Sequence, residues 1–389
     1  MHATALVMRP TQSVLTLSVE VADGLWFPDV EQVLRALQEQ HGVEAVVLDC
    51  LSEEPLTYLM LLTGGEPTSS ERAWTKPTWY DGALPWIDEH VTRTGPWSQV
   101  RSWGLSNVLR LSTTQGTVYF KALAHSSTIE SAPGVPPLLF AHEPLFLDRV
   151  STERPGEVPA PLAIDEKRVW MLLPDLGTPL AHETDLEVWI DAVRRHARLQ
   201  RSYAGQVDRL LEFSCVDRRL AVLEGELDRL FGPNEATERL DPAERAKLPR
   251  RADQLREAMA NLRSIGLPDT LIHGDLHPRN IAVQGNQVMA FDWTDSAVSH
   301  PFLDLVTFVE ERSPTSSDPR VLDAYLREWE EYAAPKDLRR ALELAEQLGA
   351  LHQLMTSLNL PEHLTGPSRD SMFRGAVWWL QQVLSGAAR

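Results

Sequence analysis

The sequence predicts an α+β protein with a small β-rich part and a large helical part, preceded by a small α/β domain. Runs of β-branched and aromatic residues, which favour strands, are concentrated in the first half of the chain. From residue 186 onward, most stretches carry apolar residues at helical spacing. At 389 residues the chain is too long for a single compact core, so we expect two or three domains.

Residues 1–70 are predicted to form the small α/β accessory domain. Ser13–Val19 alternates like a strand, and Val30–Gln40 has the apolar spacing of a helix that ends at Gly42. A second strand is expected over residues 43–51. The pattern therefore predicts a strand–helix–strand unit.

The segment 71–96 is predicted to connect this domain to the rest of the chain, after a turn-rich boundary at 64–70. It lies in a part of the sequence that is dense in tryptophan. Trp79 and Trp86 are expected on a short helix. Their indole rings could pack in a core or stack on a ligand, and packing is favoured.

Residues 97–177 are predicted to form a small sheet that ends in an apolar strand and a turn. Within it, Gly116–Lys121 follows a hairpin turn and is typical of a strand. Lys121 is the only lysine between Lys76 and Lys167. Taken alone, it fits a solvated lysine at the end of a strand.

Residues 178–389 are predicted to be mainly helical. Helices are expected over residues 186–211, 216–231, 251–265, 320–332, 338–358 and 371–384. The polar stretch 232–249 is expected to be an exposed loop or a short capped helix.

A polar loop between two short strand-like runs carries the clearest chemical signal. The loop His273–Asn280 has the form HxDxxxxN, with Asp275 five residues before Asn280 and Asp292 twelve residues beyond it. This spacing suits phosphoryl transfer, which needs a carboxylate for the acceptor hydroxyl and hard oxygen ligands for Mg²⁺. The alternative is an ordinary loop with Asp292 as a helix cap. The position of Asp292 directly after a strand argues against that alternative.

These residues resemble the aminoglycoside phosphotransferase family, whose members are small-molecule kinases related to choline kinases and protein kinases. The resemblance covers residues 97–389 and implies a bilobal protein-kinase-like fold. It implies transfer of the γ-phosphate of ATP or GTP to a hydroxyl group of a small molecule. By this resemblance Asp275 is the base and His273 fixes the catalytic loop. Asn280 and Asp292 would hold Mg²⁺.

The same resemblance implies a nucleotide site in the small sheet. Lys121 would bind phosphate groups and Glu143 would position it, although Glu143 also fits a surface helix cap. The turn that contains Ser106 and Asn107 would cover the phosphates with backbone N–H groups and a hydroxyl. The strand that ends at Leu173 would be the hinge beside the base. The choice between ATP and GTP stays open.

Residues 12–51 also show a faint resemblance to the Nudix diphosphate hydrolases, carried by Arg35–Val43. Two of the helix glutamates of that pattern are missing, with Ala36 and Gln40 in their places. Clustered carboxylates hold Mg²⁺ in such sites, so no hydrolase activity is expected. An unrelated strand–helix–strand unit explains the same pattern.

Two other functions could use the catalytic motif, namely a regulatory nucleotide-binding module and a kinase that acts on a protein. The complete set of metal and base residues argues against the first. By the family resemblance, Asp304 supports the catalytic loop, and only about a dozen residues separate it from Asp292. That short segment leaves little platform for a peptide substrate.

Composition excludes several classes of partner. The formal net charge of −18 argues against a nucleic-acid partner, because phosphate backbones require basic surfaces. No apolar run approaches the ~20 residues that span a bilayer, and no secretory signal is evident. The two cysteines, Cys50 and Cys215, favour a reducing cytoplasm. The identity of the acceptor and the oligomeric state stay open.

Overall fold

The computed structural model describes residues 1–8, 14–62, 74, 78–124, 140–310 and 315–386. The chain divides into two compact units. The first consists of Met1–Pro144, Pro161–Asp175 and Leu360–Ser371, and the second of Leu145–Ala160, Leu176–Asn359 and Met372–Arg389. The domain limits predicted at residues 70, 96 and 177 stay predictions, and the turn 64–70 lies outside the described residues.

A four-stranded sheet with one helix begins the first unit. Its strands are β1 (His2–Met8), β2 (Val14–Glu20), β3 (Ala45–Glu53) and β4 (Leu56–Leu62), in the order β2-β1-β4-β3. The helix α1 (Glu31–His41) buries Val33 and Leu37, and Gly42 is its C-cap residue, as the sequence predicts. Strands β1 and β4 were missed by the sequence analysis. They pair in parallel at the centre of the sheet.

A five-stranded antiparallel sheet forms the rest of the first unit. Its strands are β5 (Arg93–Ser102), β6 (Ser106–Thr113), β7 (Gly116–Leu123), β8 (Ala163–Asp165) and β9 (Trp170–Pro174), in the order β5-β6-β7-β9-β8. The predicted tryptophan helix is α2 (Thr78–His90). The rings of Trp79 and Trp86 lie 5.9 and 5.8 Å from that of Phe120 in β7. These indoles therefore pack on the sheet.

Helices dominate the second unit, together with two three-stranded sheets in the orders β10-β13-β14 and β11-β15-β12. The strands are β10 (Thr178–Pro179), β11 (Val216–Asp217), β12 (Thr270–Ile272), β13 (Ile281–Gln284), β14 (Gln287–Ala290) and β15 (Ala297–Ser299). The helices after α3 (Glu143–Glu153) are α4 (Leu186–Ser202), α5 (Val207–Glu212), α6 (Leu220–Phe231), α7 (Glu235–Glu238), α8 (Pro242–Arg245), α9 (Leu248–Ile265), α10 (Asp304–Glu310), α11 (Pro319–Arg327), α12 (Pro335–Asn359) and α13 (Gly366–Ser385). Among the described residues, no helix is long and apolar enough to cross a membrane.

Three predicted helices are longer than the observed ones. The helix expected over 320–332 ends at Arg327, the last residue of α11. The helix expected over 186–211 is split into α4 and α5 by a turn at Gly205, whose φ of +73° favours glycine. The helix expected from residue 216 begins only at Leu220, because Val216–Asp217 pairs in parallel with β15. The polar stretch 232–249 contains the two short capped helices α7 and α8 and the start of α9.

Candidate active site

The first unit brings Lys121 and Glu143 together. Lys121 lies in β7, and Glu143 is the first residue of α3. Pro144 follows in the first turn, where a proline does not break a helix. The Lys121 Nζ atom lies 2.8 Å from Glu143 Oε2, and the side chains are 11% and 0% exposed. A buried ion pair fixes the position of the lysine ammonium group, because separating it would leave a buried charge alone.

The other predicted nucleotide residues also lie in the first unit. The Ser106 hydroxyl accepts a hydrogen bond of 2.9 Å from the Trp103 indole N–H. The Asn107 side chain is buried and accepts a 2.9 Å hydrogen bond from the Gln99 amide, and its backbone lies in β6. Leu173 lies in β9 opposite Tyr119 of β7. The nucleotide contacts of these three residues stay predictions.

In the second unit, the loop His273–Asn280 follows β12 and makes a tight turn at Gly274. Gly274 has a φ of +84°, and a Cβ atom there would lie 2.3 Å from the carbonyl oxygen of Asp295. Neither the backbone conformation nor the space admits a larger residue. Glycine thus allows the loop to pass close to the chain that follows Asp292.

His273 links the catalytic loop to the strand that precedes Asp292. Its Nε2 lies 2.9 Å from the carbonyl oxygen of Phe291, and its Nδ1 lies 3.3 Å from the backbone nitrogen of Asp275. A carbonyl oxygen only accepts and a backbone N–H only donates, so Nε2 carries the proton. Burial lowers the pKa of His273 to about 4, against the opposing effect of Asp304. The ring is therefore neutral and holds one tautomer.

Asp304 accepts four hydrogen bonds beneath the catalytic loop. Its carboxylate lies 2.8 Å from the backbone nitrogens of both His273 and Gly274. The Nε2 atoms of His196 and Gln200, both in α4, lie 2.8 and 3.0 Å from Asp304 Oδ2. Burial acts to raise the pKa of Asp304, but the hydrogen bond and charge of His196 and the contacts of His273 outweigh it and lower that pKa. These contacts match the supporting role predicted for Asp304.

Replacing Asp304 with alanine should lower the free energy of unfolding by about 3–5 kcal/mol, because His196, Gln200 and two backbone N–H groups would lose a buried acceptor. Urea denaturation measures this change. The matched control is Asp253→Ala on α9, where the side chain is 81% exposed. A loss no larger than that of the control would show that Asp304 does not support the loop.

Asp275 and Asn280 lie side by side in the catalytic loop. The Asn280 amide donates a 3.1 Å hydrogen bond to the backbone oxygen of Asp275, and its Nδ2 lies 3.5 Å from Asp275 Oδ2. The Asp275 side chain is 39% exposed, which leaves it open to a substrate. Because Nδ2 faces Asp275, the amide oxygen Oδ1 of Asn280 is the atom that could bind a cation.

Asp292 follows β14 in a left-handed conformation, with a φ of +64°. This conformation is uncommon outside glycine, although aspartate tolerates it better than most residues. The backbone N–H of Phe291 donates a 2.8 Å hydrogen bond to the carbonyl oxygen of Asn280. The residue directly before Asp292 is therefore joined to Asn280 by a hydrogen bond.

One carboxylate and one amide oxygen fit Mg²⁺, which prefers few protein ligands and completes its shell with water and phosphate oxygens. Within the described ranges there is no group of three or more His, Cys, Asp or Glu residues that could hold a metal ion. Asn280 and Asp292 form a smaller set than that, and their chemistry suits the expected cation.

A third carboxylate, Asp295, was missed by the sequence analysis. Burial, together with the charges of Asp275 and Asp292, raises the pKa of Asp295 to about 8, while Arg218 opposes that rise. The charges of Asp275 and Asp292 therefore favour the protonated form of Asp295. The sequence feature that points to Asp295 is its position three residues after Asp292.

Comparison with protein families identifies the family of this chain. The model of the phosphotransferase enzyme family (APH) matches residues 98–342. The chain belongs to this family. No curated protein matches the chain.

Solved structures show the fold of this phosphotransferase. It is similar to aminoglycoside 2′-phosphotransferase IIIa in complex with GDP (12% identity, 79% of this chain and 96% of that chain, TM-score 0.56). It is also similar to a macrolide 2′-phosphotransferase from Brachybacterium faecium (16% identity, 76% and 97% coverage, TM-score 0.51). A choline/ethanolamine kinase family protein from Mesorhizobium loti gives 16% identity, 79% and 96% coverage and a TM-score of 0.50. The predicted protein-kinase-like α+β fold is confirmed.

Proposed function

We propose that this phosphotransferase moves the γ-phosphate of ATP or GTP to a hydroxyl group of a small molecule, with Mg²⁺ and with Asp275 as the base. The observation that carries the proposal is the catalytic loop itself. Asp275 is open to substrate, while Asp304 accepts from the backbone N–H of His273 and the His273 ring accepts from the backbone N–H of Asp275. A fixed carboxylate of this kind suits a reaction that depends on orientation more than on covalent chemistry.

Asp275 would orient the acceptor hydroxyl and receive its proton as the new P–O bond forms. The bond from the γ-phosphorus to the bridging oxygen would break in the same transfer, with ADP or GDP as the leaving group. His273 and Asn280 form hydrogen bonds with the Asp275 backbone. The loop therefore does not need to rearrange to orient the carboxylate. His273 acts as a positioning residue, since its two nitrogens are taken by backbone groups. The fixed geometry avoids reorganisation at the moment of transfer.

Asn280 and Asp292 would hold Mg²⁺ through their side-chain oxygens. When bound, the cation neutralises charge on the phosphate oxygens. The donor set of one amide and one carboxylate supports this assignment. The negative charges of Asp275 and Asp292 would otherwise repel a nucleotide.

For the nucleotide, we assign phosphate binding to Lys121, with Glu143 as the residue that positions its ammonium group. Their 2.8 Å ion pair in the first unit supports this assignment. Ser106 and Asn107 would contribute to the cover over the phosphates. The backbone at Leu173 would meet the base.

The acceptor is a small hydroxyl compound. Structures that share this fold are named as phosphotransferases of aminoglycosides and macrolides and as a choline/ethanolamine kinase family protein. These compound classes define the first acceptors to test. We also place the protein in the cytoplasm, since both cysteines are buried free thiols.

The proposal is tested by nucleotide consumption with purified protein, Mg²⁺ and either ATP or GTP. The panel of acceptors covers aminoglycosides, macrolides, sugars, choline and hydroxy-amino acids. We expect consumption that depends on one compound class and on Mg²⁺, with a phosphorylated hydroxyl visible by mass spectrometry. Nucleotide binding without transfer to any compound would instead favour the regulatory module.

A further inference from the structure

The segment predicted to cover the phosphates, Trp103–Asn107, consists of the turn after β5 and the first two residues of β6. It contacts a part of the chain that lies outside the family match at 98–342. That part is the N-terminal module, which consists of β1–β4, α1 and residues 21–30. Trp103 packs against the buried core of the module. Its ring lies 5.5 Å from the ring of Trp26 in an edge-to-face arrangement, which stabilises a contact beyond its buried area.

Backbone and charged groups reinforce this contact at the end of β5. The N–H of Ser102 donates a 3.0 Å hydrogen bond to the carbonyl oxygen of Pro28. Arg101 forms a 3.3 Å ion pair with Asp29, and its guanidinium group lies 5.1 Å from the centre of the Trp26 ring. The residues directly before the turn are therefore held by the module through three kinds of interaction.

A second connection runs through the interior of the first unit. The side-chain amide of Gln99 accepts a 2.9 Å hydrogen bond from the Val47 N–H in β3 and donates one of 3.2 Å to the Val47 carbonyl. The same amide group donates to Asn107 Oδ1 at 2.9 Å. One buried glutamine thus joins a strand of the module to the end of the turn.

The tip of the turn is enclosed on its other side by the segment Leu360–Ser371. The Gly104 N–H donates a 3.0 Å hydrogen bond to Ser368 Oγ. A Cβ atom on Gly104 would lie 2.7 Å from Leu364 Cδ2. The turn is therefore closely packed by the module and by Leu360–Ser371, and both of these parts lie outside the family match at 98–342.

We propose that the N-terminal module positions the phosphate-covering turn, with Trp26 and Arg101 as positioning residues for nucleotide binding. A glycine-containing turn that is ordered before binding loses less conformational entropy when a phosphate arrives. The module thereby raises nucleotide affinity without touching the nucleotide. This inference rests on the proposed function, because it requires the turn Trp103–Asn107 to meet phosphate groups.

The test replaces Trp26, which is 40% exposed, with alanine in the full chain. The Kd for Mg²⁺–ADP and for Mg²⁺–GDP is measured by calorimetry, and unfolding is followed by heating. We expect the Kd to rise about threefold to tenfold, the range that corresponds to one lost aromatic pair. Trp26→Phe keeps an edge-to-face partner and should restore the original Kd.

The matched control is Trp378→Ala. Trp378 is 38% exposed and makes its own edge-to-face contact with Trp379 in α13. It should leave the nucleotide Kd unchanged even if its unfolding temperature falls by as much as that of Trp26→Ala. A purely structural role for Trp26 would lower the unfolding temperature without changing Kd, and that result would overturn the proposal.

A second pair of variants covers the case in which Trp26→Ala does not fold. Arg101→Met removes the ion pair and the ring contact before the turn. Arg168→Met is its control, because Arg168 also pairs with an aspartate (3.1 Å) and lies over a tryptophan ring (4.9 Å). We expect only Arg101→Met to weaken nucleotide binding. If the unaltered protein binds neither nucleotide, the proposed function fails and this inference fails with it, whereas normal binding by Arg101→Met overturns this inference alone.

Discussion

Replacing Asp275 with asparagine should lower kcat by about 10²- to 10⁴-fold, the usual contribution of a positioned base, with little change in nucleotide affinity. Asparagine has nearly the same shape but cannot receive the hydroxyl proton. The hydrogen bonds that join the Asp275 backbone to His273, His277 and Asn280 do not involve its side chain, so they should survive the substitution. Turnover with the acceptor found in the panel and the Kd for Mg²⁺–ADP give the two required measurements.

The control for this prediction is Asp253→Asn, the same chemical change at a carboxylate that is 81% exposed on α9. It should behave as the unaltered protein in both measurements. Full turnover by Asp275→Asn would rule out Asp275 as the base. A parallel loss of nucleotide binding would show instead that the substitution damages the loop.

Replacing Asp292 should abolish the Mg²⁺-dependent part of nucleotide binding. The loss of a charged ligand should raise the Kd for Mg²⁺–ADP at least about tenfold. Alanine also adds backbone strain at the φ of +64°, whereas asparagine tolerates the left-handed conformation. Asp292→Ala and Asp292→Asn therefore separate the backbone effect from the effect of the lost charge.

Calorimetry at several Mg²⁺ concentrations distinguishes metal binding from a general loss of affinity. For the unaltered protein, nucleotide affinity should increase with Mg²⁺ up to saturation. For Asp292→Asn it should stay weak across the same range. If Asp292→Asn and the unaltered protein respond equally to Mg²⁺, Asp292 does not bind the cation.

The catalytic motif could be predicted from sequence because it is local. Asp275, Asn280 and Asp292 occur within eighteen consecutive residues. Short strand-like runs before the loop and before Asp292 mark where these residues lie. The contacts of Asp304 are harder to predict from sequence, since His196 and Gln200 belong to a helix more than 100 residues earlier in the chain. A pairing over that distance leaves no periodic pattern in the sequence.

Strands β1 and β4 show a second limit of local patterns. The inward positions of β1 include Ala3 and Ala5, which are fully buried but have little strand preference. The strand forms because it pairs with β4 in parallel, about fifty residues further along the chain. The split between α4 and α5 was missed because apolar spacing continues on both sides of the turn.

The burial of His273 has a consequence for the protein in acid. With a pKa of about 4, the ring takes up no proton at pH values where an exposed imidazole, with a pKa of about 6.5, becomes charged. The catalytic loop should thus keep its geometry in mildly acidic solution. In the unfolded chain the same ring is exposed and binds a proton below about pH 6.5, so unfolding takes up a proton between about pH 6.5 and 4. The free energy of unfolding consequently decreases as the pH falls through this window. Lowering the pH should therefore reduce the fraction of folded enzyme before it changes the geometry of the catalytic loop.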